Sequence, residues 1–118
     1  MNGGQLAGGN PIRGRVENDF YATPEVATQA ILAVEDIIYP ALEPACGAGH
    51  ISKLLRGETI SCDLVDRGYS NITLDFLSDL TSVRNRIGTD NIQTVITNPP
   101  FNLFQEFAIR SLEIAHKK

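Results

Sequence analysis

Residues 41–50 read Ala41-Leu42-Glu43-Pro44-Ala45-Cys46-Gly47-Ala48-Gly49-His50, a short apolar segment that runs directly into a glycine turn. Apolar residues at helical spacing follow the turn, and a glycine ends the pattern. These residues are Ile51, Leu54, Leu55 and finally Gly57. We therefore predict a strand, a glycine loop and a helix in succession.

Three further segments have the composition of strands, because they are rich in β-branched and apolar residues and end in polar or turn-forming ones. They are Thr59 to Val65, Ile72 to Leu74, and Thr94 to Thr97. A last helix is predicted from Phe101 to Lys118, because apolar residues recur along one helical face. They are Leu103, Phe104, Phe107, Ala108, Leu112 and Ala115. Strands that alternate with helices through short loops predict an α/β domain with a partial parallel sheet of about four strands and flanking helices.

Another helix is predicted before the first strand. Thr23 is a favourable helix cap, and Pro24 suits the first turn because it lacks an N–H that would need a partner. Apolar residues then recur at helical spacing until Pro40 ends the helix. They are Val26, Ala27, Ala30, Ile31, Val34, Ile37 and Ile38.

Size and composition limit the possible functions. A chain of 118 residues suits one domain, and a hydrophobic fraction of 42% fits an ordinary globular chain. The net charge of -4 argues against binding nucleic acid through bulk electrostatics. Residues 1–18 are rich in glycine and poor in large apolar side chains, so we expect a flexible tail, with the domain at 19–118. Cys46 and Cys62 lack metal-ligand spacing and are expected to be free thiols, and the absence of a signal peptide predicts a cytoplasmic protein.

The glycine loop and two acids suggest a nucleoside cofactor. Ligands of open parallel sheets bind at the carboxyl ends of the strands, where glycines allow a close approach and an acid can accept from ribose hydroxyls. Asp63 is in that position, and Asp75 is placed to accept from an adenine amine, with Phe76 packed on the purine. Ser52 replaces the third glycine of a dinucleotide motif, and a phosphate-binding lysine is missing. S-adenosylmethionine therefore fits better than a nicotinamide cofactor or ATP, although a simple tight turn is the alternative.

The segment Asn98-Pro99-Pro100-Phe101 follows the last strand. The Asn98 side-chain carbonyl and the Pro99 main-chain carbonyl are hydrogen-bond acceptors, and a fixed pair of acceptors would help an aromatic amine to react. Phe101 offers a flat face for a base taken out of its helix. The plain alternative is that two prolines end the strand and Phe101 belongs to the core.

In this order the motifs resemble those of the amino-methylating DNA methyltransferases, in particular the N6-adenine enzymes whose cofactor motifs come first in the chain. The resemblance covers about residues 19 to 110 and implies a Rossmann-like class I methyltransferase fold. Its motifs are Asp19-Phe20-Tyr21-Ala22-Thr23-Pro24, Glu43-Pro44-Ala45-Cys46-Gly47-Ala48-Gly49, Ser61-Cys62-Asp63-Leu64, Asp75-Phe76-Leu77 and Asn98-Pro99-Pro100-Phe101.

The resemblance implies a role for each matching residue. Thr23 would contact the cofactor carboxylate, Glu43 would lie near its amino group, and Asp63, rather than the weaker candidate Asp66, would hold the ribose. The cofactor-binding set implied is Tyr21, Thr23, Glu43, Ala45, Cys46, Gly47, Gly49, Asp63, Leu64, Asp75 and Phe76. The catalytic set implied is Asn98, Pro99, Pro100 and Phe101.

The chain departs from this family after the last helix, because those enzymes continue through about three more strands and usually a target-recognition region. In the family's strand order, Thr94 to Asn98 would then be an uncovered sheet edge that can pair with another chain. We expect either a fragment, or a chain completed by a second copy or by a complementing chain.

The function expected is methyl transfer from S-adenosylmethionine to the N6 amine of adenine in DNA, with the base flipped into the site. One alternative keeps the chemistry and changes the substrate to RNA guanine or protein glutamine, although the N-terminal Thr-Pro helix favours DNA. A second alternative is a non-catalytic cofactor-binding or assembly module, which the acidic charge and the missing recognition region favour.

Overall fold

A computed structural model describes residues 23–116, which form an α/β arrangement of three α-helices and four strands. The helices are α1 (Glu25–Val34), α2 (Leu80–Ile87) and α3 (Phe104–Ile114), and short 3-10 helices span Ser52–Leu54 and Phe101–Leu103. The strands are β1 (Ala41–Glu43), β2 (Thr59–Asp63), β3 (Ile72–Thr73) and β4 (Thr94–Val95). The strands predicted from Thr59 and Thr94 are thus present but end earlier than expected.

The four strands form one parallel sheet in the order β3-β2-β1-β4. Central β1 pairs with β2, with Ala41 opposite Thr59, and with β4, with Ala41 opposite Thr94. All of β1 is buried, as expected for a strand with a neighbour on each side. The predicted α/β class with a parallel sheet of about four strands is confirmed in this coarse form.

Strand β4 is an edge of the sheet within residues 23–116. The Ile96 N–H donates to the Leu42 carbonyl of β1 at 3.1 Å. Because successive residues of a strand alternate in direction, the backbone N–H and C=O of Val95 face away from β1. The described part of the chain therefore leaves this edge open, as the sequence predicted.

The core combines residues from the sheet with residues from α2, α3 and the connecting segments. Its buried apolar side chains are Leu42, Cys62, Leu74, Phe76, Val83, Ile87, Ile92, Phe107 and Ile114. The Phe76 and Phe107 rings are 5.3 Å apart at their centroids, a favourable distance for tilted aromatic rings. This contact joins the segment after β3 to α3.

Helix α1 differs from the prediction in length and in the face that it buries. It ends at Val34 instead of reaching Pro40, because Glu35 adopts extended backbone angles. Thr28 is its buried residue, whereas the predicted apolar stripe, including Val26, Ile31 and Val34, is exposed. The stripe is therefore an uncovered surface of the described chain.

The helix predicted after the glycine loop is wrong, because the structure has only the short 3-10 helix Ser52–Leu54. Few residues separate Gly49 from Gly57, and an α-helix of that length rarely gains enough hydrogen bonds to offset the cost of its first turn. Leu55 is already extended. The Tyr39 ring then packs against Gly57, and the Tyr39 hydroxyl accepts a hydrogen bond from the Arg56 N–H at 2.9 Å.

Helix α2 was missed, although its ends carry ordinary signals. Asp79 caps the helix by accepting from the Ser82 N–H, and Gly88 ends it in a left-handed conformation. Val83 and Ile87 are its buried residues. In α3 the buried residues are Phe107 and Ile114, while the predicted face residues Phe104 and Leu112 are exposed. Helical spacing located that helix but not the whole of its buried face.

The predicted glycine-rich tail, residues 1–18, lies outside the described residues, as do Tyr21 and the last two lysines. None of the helices found between residues 23 and 116 is long and apolar enough to cross a membrane.

Candidate functional site

The carboxyl ends of the strands form the candidate site. The chain adds β2 and β3 on one side of β1 and then places β4 on the other side, so the connections diverge next to β1. Open α/β sheets bind ligands in the crevice at such a point. Glu43 and Asp63 are the last residues of their strands, and Asp75 and Asn98 follow theirs within three residues. The topology thus brings the predicted polar residues together at the carboxyl end of the sheet.

The glycine loop is tied to β2 through Asp63. The Gly47 N–H donates to Asp63 Oδ2 at 2.7 Å, and the Cys46 N–H donates to the Cys62 carbonyl at 2.8 Å. The Val65 N–H donates to Asp63 Oδ1 at 3.3 Å. A carboxylate has about four acceptor sites, so the buried Asp63 has further lone pairs for ligand hydroxyls. The acid therefore orders the loop as well as presenting acceptors beside it.

Gly49 has a structural reason to lack a side chain. Its φ is 89°, in the left-handed region, and a Cβ at this position would lie 2.6 Å from the Tyr69 ring. The ammonium of Lys53 lies 5.4 Å from the centroid of the same ring. The close approach to the glycine loop that the sequence suggested is thus made, in this structure, by Tyr69.

Glu43, the last residue of β1, has 1% of its surface exposed. Its Oε1 accepts from the Ser52 hydroxyl at 2.5 Å, and the Ser61 hydroxyl donates to Ser52 Oγ at 2.7 Å. Burial raises the pKa of Glu43 from 4.5 to about 7, an effect that the Ser52 hydrogen bonds oppose and the charge of Asp63 reinforces. The carboxyl group is therefore a buried member of a hydrogen-bonded chain and does not reach the surface of the crevice.

Asp75 begins a tight turn after β3. Its Oδ1 accepts from the Leu77 N–H at 3.0 Å, and its carbonyl accepts from the Ser78 N–H at 3.1 Å. The carboxylate is exposed and accessible to a ligand. Phe76 is only 2% exposed and packs on Phe107, so its ring belongs to the core in this structure, where the sequence suggested a purine contact.

The other predicted cofactor residues differ in exposure. Leu64, just after Asp63, is 52% exposed and offers an apolar surface beside the acid. Ala45 is half-buried against the core, and Cys46 is buried with its thiol 3.6 Å from the Gly47 carbonyl. Cys46 and Cys62 are both free, and burial raises the pKa of each thiol to about 12. Neither thiol is therefore a nucleophile at neutral pH.

The turn after β4 contacts the segment before α1. The Asn98 side-chain amide donates to the Thr23 hydroxyl at 3.2 Å. This bond turns the Asn98 carbonyl oxygen away from Thr23, so that the oxygen remains available as an acceptor. Pro99 and Pro100 are half-buried, and the Pro100 carbonyl accepts from the Leu103 N–H at 2.9 Å.

Phe101 is 78% exposed, so the alternative that it belongs to the core is wrong. An exposed aromatic ring next to a pair of acceptors is suited to stack on a planar ligand. Phe101 and Asn98 are therefore accessible together at the end of β4.

Several residues of the site were missed from the sequence. Ser52 and Ser61 complete the chain to Glu43, and Tyr69 covers Gly49. Alternation along β2 is a signal for Ser61, because it points to the same side as Asp63. Tyr69 lies in a turn segment, where no periodic signal exists.

Comparison of the chain with protein-family models, curated proteins and solved structures finds no match.

Proposed function

We propose that this chain is the cofactor-binding and amine-binding part of an S-adenosylmethionine-dependent methyltransferase that acts on the N6 amine of adenine in DNA, with a Rossmann-like class I fold. One observation carries the proposal. The Asn98 amide is oriented by Thr23, so an acceptor oxygen is held at the end of β4, beside the strand that leads into the glycine loop. An oriented acceptor suits an amine substrate.

The residues at the end of β2 fit the nucleoside part of the cofactor. Asp63 retains lone pairs for ribose hydroxyls, and exposed Leu64 supplies an apolar surface for the adenine. Asp75 is an accessible acceptor for the adenine amine. The combination of acidic acceptors and an apolar surface matches an uncharged nucleoside better than a phosphate, which acids repel.

The chain's own residues would act on the target amine. Bound at the carboxyl ends of the strands, S-adenosylmethionine would supply an electrophilic methyl group. Asn98 Oδ1 and the Pro99 carbonyl would each accept a hydrogen from the amine and hold its nitrogen lone pair toward that methyl group. Phe101 would stack on the extruded base. The N6–methyl bond would form as the sulfur–methyl bond breaks, which releases S-adenosylhomocysteine, and the lost N6 proton would pass to water.

A calorimetric titration with S-adenosylmethionine tests the cofactor assignment. We expect Asp63→Ala to abolish binding and Asp63→Asn to weaken it, since asparagine keeps one acceptor for the Gly47 N–H. Asp66→Ala is the matched control, because exposed Asp66 accepts from the nearby Gly68 N–H and, among the described residues, from no other donor. Unchanged binding in Asp63→Ala, or loss only in Asp66→Ala, would rule out the role given to Asp63.

A non-catalytic module is the second candidate, favoured by the net charge of -4 and by the open edge at Val95. Its function would be to bind the cofactor or to assemble with another chain. Transfer of labelled methyl groups to an unmethylated DNA library separates the two. Incorporation that Asn98→Ala abolishes supports the enzyme, whereas cofactor binding without incorporation, under all partner conditions, supports the module.

We also propose that a complementing chain or a second copy adds a strand to the sheet by pairing with the open edge at Thr94 to Asn98. The outward N–H of Val95 would donate to that strand, so Val95→Pro removes the donor without breaking the ladder to β1. Light scattering across protein concentrations should show assembly in the wild type and less in Val95→Pro. Equal assembly in both would exclude a second copy at this edge.

A further inference from the structure

Arg110 joins α3 to the turn that begins at Asp75. Its Nη1 donates to the Phe76 carbonyl at 2.7 Å and to the Ser78 carbonyl at 2.8 Å, and both bonds are partly buried. Its Nε donates to Glu113 Oε1 at 2.9 Å. Hydrogen bonds from a charged donor are stronger than those from a neutral donor. Two such bonds to carbonyls of the same turn restrict the turn more than a single bond would. The guanidinium is therefore a clamp on this turn.

One peptide group connects this clamp to Asp75. The carbonyl of the Phe76–Leu77 peptide accepts from Arg110, and the N–H of the same peptide donates to Asp75 Oδ1 at 3.0 Å. A planar trans peptide points its C=O and N–H in opposite directions. Arg110 and the Asp75 carboxylate therefore bind opposite edges of one peptide group, both roughly in its plane. A cation on the carbonyl side favours the orientation that aims the N–H at Asp75.

The clamp leaves one carboxylate oxygen for a ligand. Oδ1 of Asp75 is held by the Leu77 N–H, whereas Oδ2 accepts no hydrogen bond from the described residues. The Phe76 ring also fixes this turn, because it packs on Phe107 of α3. Helix α3 thus holds the turn at two points, and the exposed Oδ2 is presented in a defined direction.

We propose that Arg110 is a positioning residue for adenine recognition, which rests on the proposed function. By fixing the Phe76–Leu77 peptide, it sets the direction in which Asp75 Oδ2 accepts from the 6-amino group of the cofactor's purine. A 6-oxo purine presents a carbonyl oxygen to the same carboxylate and is disfavoured, because two acceptors repel. Arg110 therefore determines the preference for an amino purine without touching the cofactor.

The test compares two ligands by calorimetry: S-adenosylhomocysteine and its inosine counterpart, S-inosylhomocysteine. The wild type should prefer the adenosine form, and Arg110→Met should reduce that preference about tenfold. Arg84→Met is the matched control, because the Arg84 Nη2 also donates to a backbone carbonyl of α3, that of Glu113, at 3.1 Å, but does not contact the turn. Its preference should match the wild type.

The outcomes separate the two proposals. A wild type that binds neither ligand overturns the proposed function and this inference with it. A wild type that prefers the adenosine form, with an unchanged preference in Arg110→Met, overturns only the role of Arg110. A purely structural clamp would weaken both ligands equally and leave their ratio unchanged, so that result also counts against the proposal.

Two further measurements cover the case in which Arg110→Met fails to fold. Arg110→Lys keeps the charge and stem, but one ammonium lacks the planar fork of the guanidinium, so it should show an intermediate preference. Hydrogen exchange of the Leu77 amide in the ligand-free protein should be faster in Arg110→Lys than in Arg84→Met. Equal exchange and a wild-type preference in Arg110→Lys would overturn the role of Arg110.

Discussion

The side-chain amide of Asn98 donates a hydrogen bond to the Thr23 hydroxyl at 3.2 Å, across 75 positions of sequence. The bond joins the turn after β4 to the residue that precedes Pro24 and α1. It also gives the amide group a direction, because the nitrogen faces Thr23 and the oxygen must face elsewhere. The amine-binding turn at Asn98 is therefore linked directly to Thr23, the residue expected to contact the cofactor.

Thr23→Val should lower the rate of methyl transfer about tenfold, because loss of one hydrogen bond lets the Asn98 amide rotate. Thr23→Ser keeps the hydroxyl and should retain most of the rate. Thr81→Val, on an exposed position of α2, is the control and should behave as the wild type. Single-turnover transfer of labelled methyl groups measures the effect. A wild-type rate in Thr23→Val would show that Thr23 does not orient Asn98.

Gly49→Ala should destabilise the protein more than Gly88→Ala. Both glycines have positive φ, at 89° and 82°, so both substitutions cost about 1–2 kcal/mol in backbone strain. An added Cβ at Gly49 also meets the Tyr69 ring, whereas open space surrounds Gly88. We expect an excess of about 1–3 kcal/mol for Gly49→Ala in urea denaturation. Tyr69→Ala in the same chain should remove most of the excess, and equal losses at both glycines would exclude the ring contact.

Stability should depend on pH through Glu43. Its pKa is about 7 in the folded protein and 4.5 in the unfolded chain, so between these values the folded state binds more protons. The contribution of Glu43 to the free energy of unfolding is therefore largest below about pH 4.5 and is lost as the pH rises to about 7. The total change is on the order of 3 kcal/mol.

Glu43→Gln should flatten this dependence and be more stable than the wild type at pH 8, because glutamine still accepts from Ser52 without carrying a buried charge. Exposed Glu58→Gln is the control and should keep the wild-type slope. Urea denaturation at pH 5 and pH 8 provides the comparison. The same slope in Glu43→Gln as in the wild type would contradict the raised pKa.

Three phenylalanines near the end of β4 should respond differently to alanine substitution. Phe107 is buried, so Phe107→Ala should cost about 3–5 kcal/mol of stability. Phe101→Ala and Phe104→Ala remove exposed rings, at 78% and 65%, and should change stability by less than about 0.5 kcal/mol.

Binding of a single-stranded oligonucleotide separates the two exposed rings. Phe101→Ala should weaken binding by about 1–3 kcal/mol if its ring stacks on a base, and Phe104→Ala should not. Fluorescence of a 2-aminopurine in the oligonucleotide reports the stacking. Equal affinities for the wild type and Phe101→Ala would place base stacking elsewhere.

Local signals located most of the elements. Apolar segments before a glycine or proline turn are typical of strands, so β1 before Gly47 and β4 before Pro99 begin where predicted, although β4 ends two residues earlier than expected. Helix α2 was missed although Asp79 and Gly88 carry capping signals. Neighbouring residues encode such boundaries, because capping and turn geometry depend on a few successive backbone angles.

Burial was less predictable than position. The apolar stripe of α1 lies at helical spacing, yet Val26 and Val34 are exposed and Thr28 is buried. Phe76 was expected to contact a purine and packs on Phe107. Spacing shows which residues share a face, but which face meets the core depends on where the sheet and the other helices lie.

The candidate site divides in the same way. The sequence alone predicted that four polar residues lie at or just after strands, because neighbouring residues determine where a strand ends. These residues are Glu43, Asp63, Asp75 and Asn98. Their partners did not: Asp63 binds the Gly47 N–H, Asn98 binds Thr23, and Arg110 orients the turn after Asp75. These contacts join residues far apart in sequence, so they form only when the parallel sheet has brought the carboxyl ends of its strands together.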